Sequence, residues 1–328
     1  MTNFKKTLFD LKALLILIAL VIVAGILSPV FLTQKNLLNV LLAVSVTAIL
    51  AIGETYIIIL GEIDLSVGAI MGMCGAICAG VLTHNNIFVA ILVGLLLGAA
   101  AGALNGVLVT FGRMPSFIAT LGTMTAFGGI TLAYTGGNPI STMVPVFQWF
   151  GQGYLWIIPV PVAIMIILYT VFWFLLHRTH YGRHVFATGG NIESSRLSGV
   201  GVRQVKVIAF MVSGLLAAVA SVIFTARLST AVPTAGDGMQ LDAIAAVILG
   251  GTSLAGGRGR LVGTVIGAII LGVLDDSMNL LNVSAFYQDV VKGVIIILAV
   301  LLDSNVNAIT GFFSRRRAGT NLLVNETV

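Results

Sequence analysis

The chain has 328 residues, of which 58% are hydrophobic and only 9% charged, with a formal net charge of +5. Soluble domains carry about 25% charged residues, and a fold this poor in charge lacks the polar groups to cover its surface in water. The composition implies a polytopic membrane protein. It excludes a nucleic-acid partner, because the basic residues sit in short segments between apolar runs rather than on one face of a module.

Lys5, Lys6 and Lys12 precede an uncharged run from Ala13 to Phe31. That run meets the roughly 20 residues a span needs and exceeds the apolar core of a cleaved signal peptide. It is expected to be a retained first helix near 13–32, with a cytoplasmic N-terminus. The second run, near 38–60, carries Glu54 and ends at a Gly-rich break, GEIDLSVG, Gly61 to Gly68. The third, near 67–83, holds Cys74 and Cys78. Four apart on one helix face, they cannot make an ordinary disulfide with each other and read as packing residues. After a turn at His84-Asn85-Asn86, the fourth run, near 87–110, repeats glycine at 94, 98 and 102, a spacing that lets helix backbones approach closely in lipid.

The fifth run lies near 116–135, and a loop from Thr135 to Tyr154 leads to the sixth, near 156–176. A polar stretch, His177 to Lys206, follows. It carries Arg178, Arg183, Arg196, Arg203 and Lys206, with Glu193 as its only acid. The seventh run is near 206–226. The eighth, near 239–251, is short and ends in GGTSLAGGRGR, Gly250 to Arg260. Gly259, Gly263 and Gly267 lead into the ninth, near 261–275, and the tenth is near 284–302. The fold class expected is an all-α helical bundle of about ten spans. It forms a single transmembrane domain over residues 1–328 with both termini cytoplasmic.

Charge supports that count. With the N-terminus inside, the inner segments collect Lys5, Lys6, Lys12, Arg113, the five basic residues of 177–206, Arg258, Arg260 and Arg315 to Arg317; the outer loops receive only Lys35 and Arg227. Inverting the chain would reverse this bias, against the positive-inside rule. The two breaks, GEIDLSVG and GGTSLAGG, each follow a span running inward and precede one running outward. They read either as ordinary tight turns or as paired broken helices of an internal repeat with a site at the membrane midplane.

Ionisable groups within spans are costly, so each is a candidate site. Glu54 and Asp242 either face a solute path or make a helix-packing hydrogen bond. Asp289 and Lys292 share a helix face and are expected to pair with each other. Glu62 and Asp64 are expected to shape a turn in which Ser66 caps the third span. There is no GxxxxGK[ST] loop: Gly251 to Gly257 mimics its glycines but has Gly257 where the lysine belongs. GxGxxG in a strand-helix setting, HExxH, GxSxG and a Cys/His ligand cluster are missing too, so no cofactor or metal is expected on this chain.

Four stretches carry a resemblance: GEIDLSVG (61–68), NGVLVTFGRMPSFIATLGTM (105–124), GGNIESSRLSGV (189–200) and LDAIAAVILGGTSLAGGRG (241–259). In this order and spacing the chain resembles the ribose-type permeases of bacterial sugar ABC importers. Glu54 departs from the apolar residue expected there. The resemblance implies a multi-pass inner-membrane subunit working as a homodimer in lipid. Its partners would be a cytoplasmic ATPase holding ATP and Mg, a periplasmic sugar-binding protein and a small sugar such as ribose. It further implies that Gly189 to Gly199 holds a short helix docking into the ATPase. The residues fit: Asn191 can N-cap a helix from Ile192 with Glu193 in its first turn, and Gly199 suits its end. Gly190, Ile192, Arg196, Leu197 and Ser198 complete this coupling segment.

A neutral sugar needs hydroxyl-bonding groups and aromatic surface. The expected substrate path is therefore Glu54, Asn105, Phe117, Thr120, Thr123 and Asp242. An ion-coupled secondary carrier is the alternative, with Glu54, Asp242, Asp289 and Lys292 as coupling groups. An intramembrane enzyme lacks any nucleophile–base or metal constellation.

Overall fold

The computed structural model describes residues 2–84 and 86–301. Each expected apolar run is a helix: α1 (Thr2–Leu27), α2 (Gln34–Ile59), α3 (Val67–Leu82), α4 (Ile87–Thr110), α5 (Ser116–Thr135), α7 (Val160–Arg178), α10 (Val202–Leu228), α11 (Met239–Leu249), α12 (Leu261–Leu280) and α13 (285–301). Three shorter helices were not anticipated by their polar or Gly-rich sequences as regular structure, save the last: α6 (Pro145–Gln152), α8 (His180–Gly190) and α9 (Ile192–Leu197). The all-α expectation is modified only by two-residue strands. β1 (Ile140–Ser141) pairs antiparallel with β4 (Thr230–Ala231), and β2 (Tyr154–Leu155) with β3 (Ile158–Pro159). Asn85 of the expected turn, and Arg315 to Arg317 with the C-terminus, lie outside the described residues.

Among the described residues, six helices are long and apolar enough to cross a membrane: α2, α4, α5, α7, α10 and α12. The 16 residues of α3 and the 11 of α11 are not. At 1.5 Å per residue they reach about 24 Å and about 16 Å, against a hydrocarbon core of about 30 Å. Irregular chain, a two-residue strand followed by successive turns, lies beside them. The segment 229–238 runs from α10 into α11 along α3, with the Pro233 carbonyl against Gly72 and Gly236 against Gly68. Irregular backbone at membrane depth is tolerated only inside protein, and here Ala231, Val67 and Ile70 are all buried.

The core is centred on α2 and α10. Every residue from Ala48 to Leu60 is buried, as expected of a helix that is apolar on all sides. Glycine sets how closely the neighbours approach. A Cβ at Gly98 of α4 would lie 2.6 Å from the Ala218 side chain of α10, and one at Gly102 would overlap the Phe210 carbonyl. Gly263 and Gly267 bring α12 against the Gly250 and Ala246 carbonyls in the same way. The glycine repeats read from the sequence are thus packing surfaces. Cys74 and Cys78 are free and buried.

Candidate functional site

The polar stretch after α7 is built from local caps. The Thr179 hydroxyl accepts from the Gly182 amide at 3.3 Å and starts α8. Val185 is fully buried and the Tyr181 hydroxyl donates to the Val205 carbonyl at 3.2 Å, which ties α8 to α10. Asn191 then does two things. Its amide closes α8 on the Ala187 carbonyl at 3.0 Å, and its side chain caps α9 by accepting from the Ser194 amide at 2.8 Å. The Gly199 amide donates to the Arg196 carbonyl with φ at 81°, a left-handed stop that glycine adopts without strain.

The result is a six-residue helix that projects from the bundle. Ile192 is 47% and Leu197 81% exposed. Glu193 and Arg196 lie 3.8 Å apart and are both mostly exposed, so their pairing adds little to stability. Ser195 alone is buried, while the Ser198 hydroxyl donates to the Ser194 carbonyl at 2.9 Å. The flanking charges do more than fix topology. Lys206 lies in α10 and pairs with Glu62 of the first break. Arg178 lies over Trp173 and Arg203 over Phe111.

The first break, Gly61 to Gly68, is the hub of a second polar cluster. Asp64 Oδ1 accepts from the Ser66 amide at 2.9 Å and the Ser66 hydroxyl at 2.6 Å, and Asp64 Oδ2 accepts from the Ser213 hydroxyl at 3.3 Å. Asn105 donates to the Ser66 hydroxyl at 2.7 Å and accepts from Thr123 at 2.7 Å. The Ser116 and Thr120 hydroxyls accept from the Ile63 and Leu65 amides, each at 3.1 Å. One acid thus fastens the break to itself and α10, while α5 holds its free backbone donors and Asn105 of α4 donates to its Ser66 hydroxyl. Ser66 occupies the cap position of α3 as expected, but its hydroxyl is turned to Asp64 instead of capping the helix.

Three of the expected path residues, Asn105, Thr120 and Thr123, therefore meet. They are buried and bonded to protein. Phe117 is half-exposed on the outer face of α5, apart from them. Glu54 is fully buried in this conformation, and the Asp64 backbone amide faces its carboxyl without closing a full hydrogen bond. Asp242 belongs elsewhere: with Arg227, Asp275, Asp276 and Asn279 it lines a cavity of about 200 Å³, at the end of α10 remote from α9. The expected Asp289–Lys292 pair is replaced. Lys292 reaches Asp242 at 3.3 Å and Asp275 at 3.1 Å, because two carboxylates on α11 and α12 converge on its ammonium. Among the described residues no group of three or more His, Cys, Asp or Glu is arranged to hold a metal.

Ser213, Ser116 and Lys206 escaped sequence reasoning. A serine in an apolar helix carries no mark of its partner, and each of these partners is more than fifty residues away. The Asp64–Ser66 pair was legible, since an acid two residues before a helix start is ordinary turn chemistry.

A family described as branched-chain amino acid transport system, permease component, matches residues 36–300. The chain belongs to this permease family. The permease is 48% identical over 305 residues to the ribose import permease protein RbsC of Escherichia coli strain K12, covering 92% of this chain and 95% of the relative. It is also 48% identical to the ribose import permease protein RbsC of Bacillus subtilis strain 168, covering 93% and 96%. Identity to the D-allose transport system permease protein AlsC of Escherichia coli strain K12 is 40%, over 88% and 89%. No solved structure matches. The permease is a transport component of the membrane, not an enzyme, and is a multi-pass protein of the inner membrane.

Proposed function

We propose that this permease is the membrane subunit of an ATP-driven importer for ribose or a closely related monosaccharide. Its 48% identity across nearly the whole of a ribose import permease carries the reading. The family description names amino acids, but the three relatives above import sugars, so the family name does not fix the solute. Alternating access moves the sugar, with no chemistry on it. Work enters from a separate cytoplasmic ATPase that binds ATP and Mg, and a periplasmic sugar-binding protein delivers the solute.

The capped α9 is the docking helix for that ATPase. It offers two exposed apolar side chains, Ile192 and Leu197, for a groove and Arg196 for an acidic partner. Ten passes with both ends inside fit the basic bias, with α3 and α11 as incomplete passes finished by irregular chain. The two breaks act as corresponding parts of an internal repeat, since each turns a helix back on itself. A second copy completes the path, with the exposed face of α5 carrying Phe117 towards it.

Reconstitution with the ATPase and the binding protein tests this. Ribose uptake should require ATP and survive an uncoupler; uptake that persists without the ATPase and collapses with the uncoupler would replace the reading with an ion-coupled carrier. Replacing Glu193 and Arg196 by alanine should cost under about 0.5 kcal/mol of stability, yet remove co-purification with the ATPase.

A further inference from the structure

Three glycine-bearing segments, far apart in sequence, meet at one point: the end of α2 with Gly61, the end of α8 at Gly189 and Gly190, and the second break at Gly256 and Gly257. The Ile59 carbonyl is one of the last of α2 and has no partner within its helix. It accepts from the Gly257 amide at 2.8 Å. Gly189 lies against the same bond. A Cβ there would overlap the Ile59 carbonyl oxygen and come within 2.8 Å of the Gly257 nitrogen. A Cβ at Gly256 would lie 2.8 Å from the Gly189 carbonyl and 3.0 Å from the Gly61 nitrogen, and one at Gly257 would lie 2.7 Å from the Gly190 α carbon. No side chain separates the three backbones.

Contact of this kind transmits displacement. Side chains between two elements absorb small shifts by changing rotamer, whereas abutting main chains sharing a hydrogen bond move together or separate. The link to α9 is short. Gly189 and Gly190 are the last residues of α8, and the next, Asn191, caps α9. Glu62, one residue past Gly61, is paired to Lys206 of α10, and Asp64 carries the cluster that reaches Asn105 and Thr123. A displacement of α9 therefore acts on both breaks at once, and through the first break on α4 and α5.

We propose that Gly189, seated on the Ile59–Gly257 hydrogen bond, is the joint through which the docking helix drives both breaks, so that it couples ATP hydrolysis to opening of the path. It is a positioning residue that never touches the sugar. This rests on α9 being the docking helix, and the experiment separates the two claims.

The complete importer in proteoliposomes, with ribose as the probe solute, is compared for co-purification with the ATPase, ATP hydrolysis and uptake. Gly189→Ala should co-purify normally and hydrolyse ATP within about twofold of the unaltered importer while uptake falls about tenfold or more. Gly293→Ala is the control, because a Cβ there meets nothing within 4 Å and the residue lies outside the docking segment and the joint; it should transport within about twofold. Inserting one glycine between Gly190 and Asn191 adds no bulk at the joint but slackens it, and should uncouple in the same way. It decides the matter should Gly189→Ala not accumulate in the membrane.

Normal uptake with Gly189→Ala, or with the inserted glycine, overturns the joint. So does equal uncoupling by Gly293→Ala, or loss of ATPase co-purification together with uptake in Gly189→Ala, which would make this only a docking contact. If the Glu193 and Arg196 replacements leave co-purification intact, it is the docking reading that fails.

Discussion

The first break, Gly61 to Gly68, is held mainly by side chains, whereas the second, Gly250 to Arg260, is held mainly by backbone, besides the Ser253 hydroxyl, which accepts from the Ala255 amide at 3.3 Å. In the first, Asp64 gathers the Ser66 amide and hydroxyl and the Ser213 hydroxyl, while Ser116 and Thr120 take the amides of Ile63 and Leu65. In the second, no charged side chain lies between Gly250 and Gly257. Its turns close on themselves, the Gly251 amide on the Ile248 carbonyl at 2.8 Å and the Ser253 amide on the Arg258 carbonyl at 3.1 Å, and the Gly257 amide reaches out to Ile59. A helix broken inside a bundle must satisfy its freed backbone groups without water. Hydroxyls and a carboxylate do so where neighbouring helices stand off. Where they touch, only glycine leaves room for the carbonyl opposite.

That contrast predicts different failures. Asp64→Leu should be the most damaging change, since it strips the acceptor from three buried donors; the expected loss is about 3 kcal/mol or more, read as thermal stability in detergent. Asp64→Asn, which keeps one acceptor oxygen, should lose less. Equal stability of all three proteins would mean that the first break is held by something else. Gly263→Val attacks the second break by bulk, against the Gly250 carbonyl. Overpacking of this kind costs about 1–3 kcal/mol. If the valine is accommodated freely, the backbone seam is looser than drawn.

Glu54→Met carries the smallest expected effect and the opposite sign. A buried carboxyl without a full hydrogen bond is destabilising, so the substitution should raise stability by about 1 kcal/mol. A fall instead would indicate that Glu54 finds a partner in another conformation of the transport cycle. Ribose uptake measured on the same variant would report what that partner does.

Much of this was legible in the sequence because it is local. The apolar runs, the cap at Asn191 and the stop at Gly199 depend on residues within one or two turns of each other. So does the Asp64–Ser66 turn. Asn105, Thr120 and Thr123 were singled out as hydroxyl-bonding groups of a path, but nothing in their spacing revealed that they would be buried against the first break. Asp289 and Lys292 share a helix face, which favoured pairing them; the competing carboxylates of Asp242 and Asp275 come from other helices. The irregular segment beside α3 was invisible too, since hydropathy does not distinguish a half-length helix finished by irregular chain from a short span.

By itself the sequence determined that the chain lives in a membrane, roughly where its apolar helices lie, and that it carries a short capped helix in its largest basic segment. These follow from hydropathy, capping and charge, each of which acts over a few residues. Only the tertiary structure decided which groups meet. It seated Gly189 against the end of α2 and the second break, joined Glu62 to Lys206, and left Glu54 without a full hydrogen bond. The physical reason is that a glycine or a serine in an apolar helix is equally compatible with many neighbours, and the packing of the whole bundle selects one.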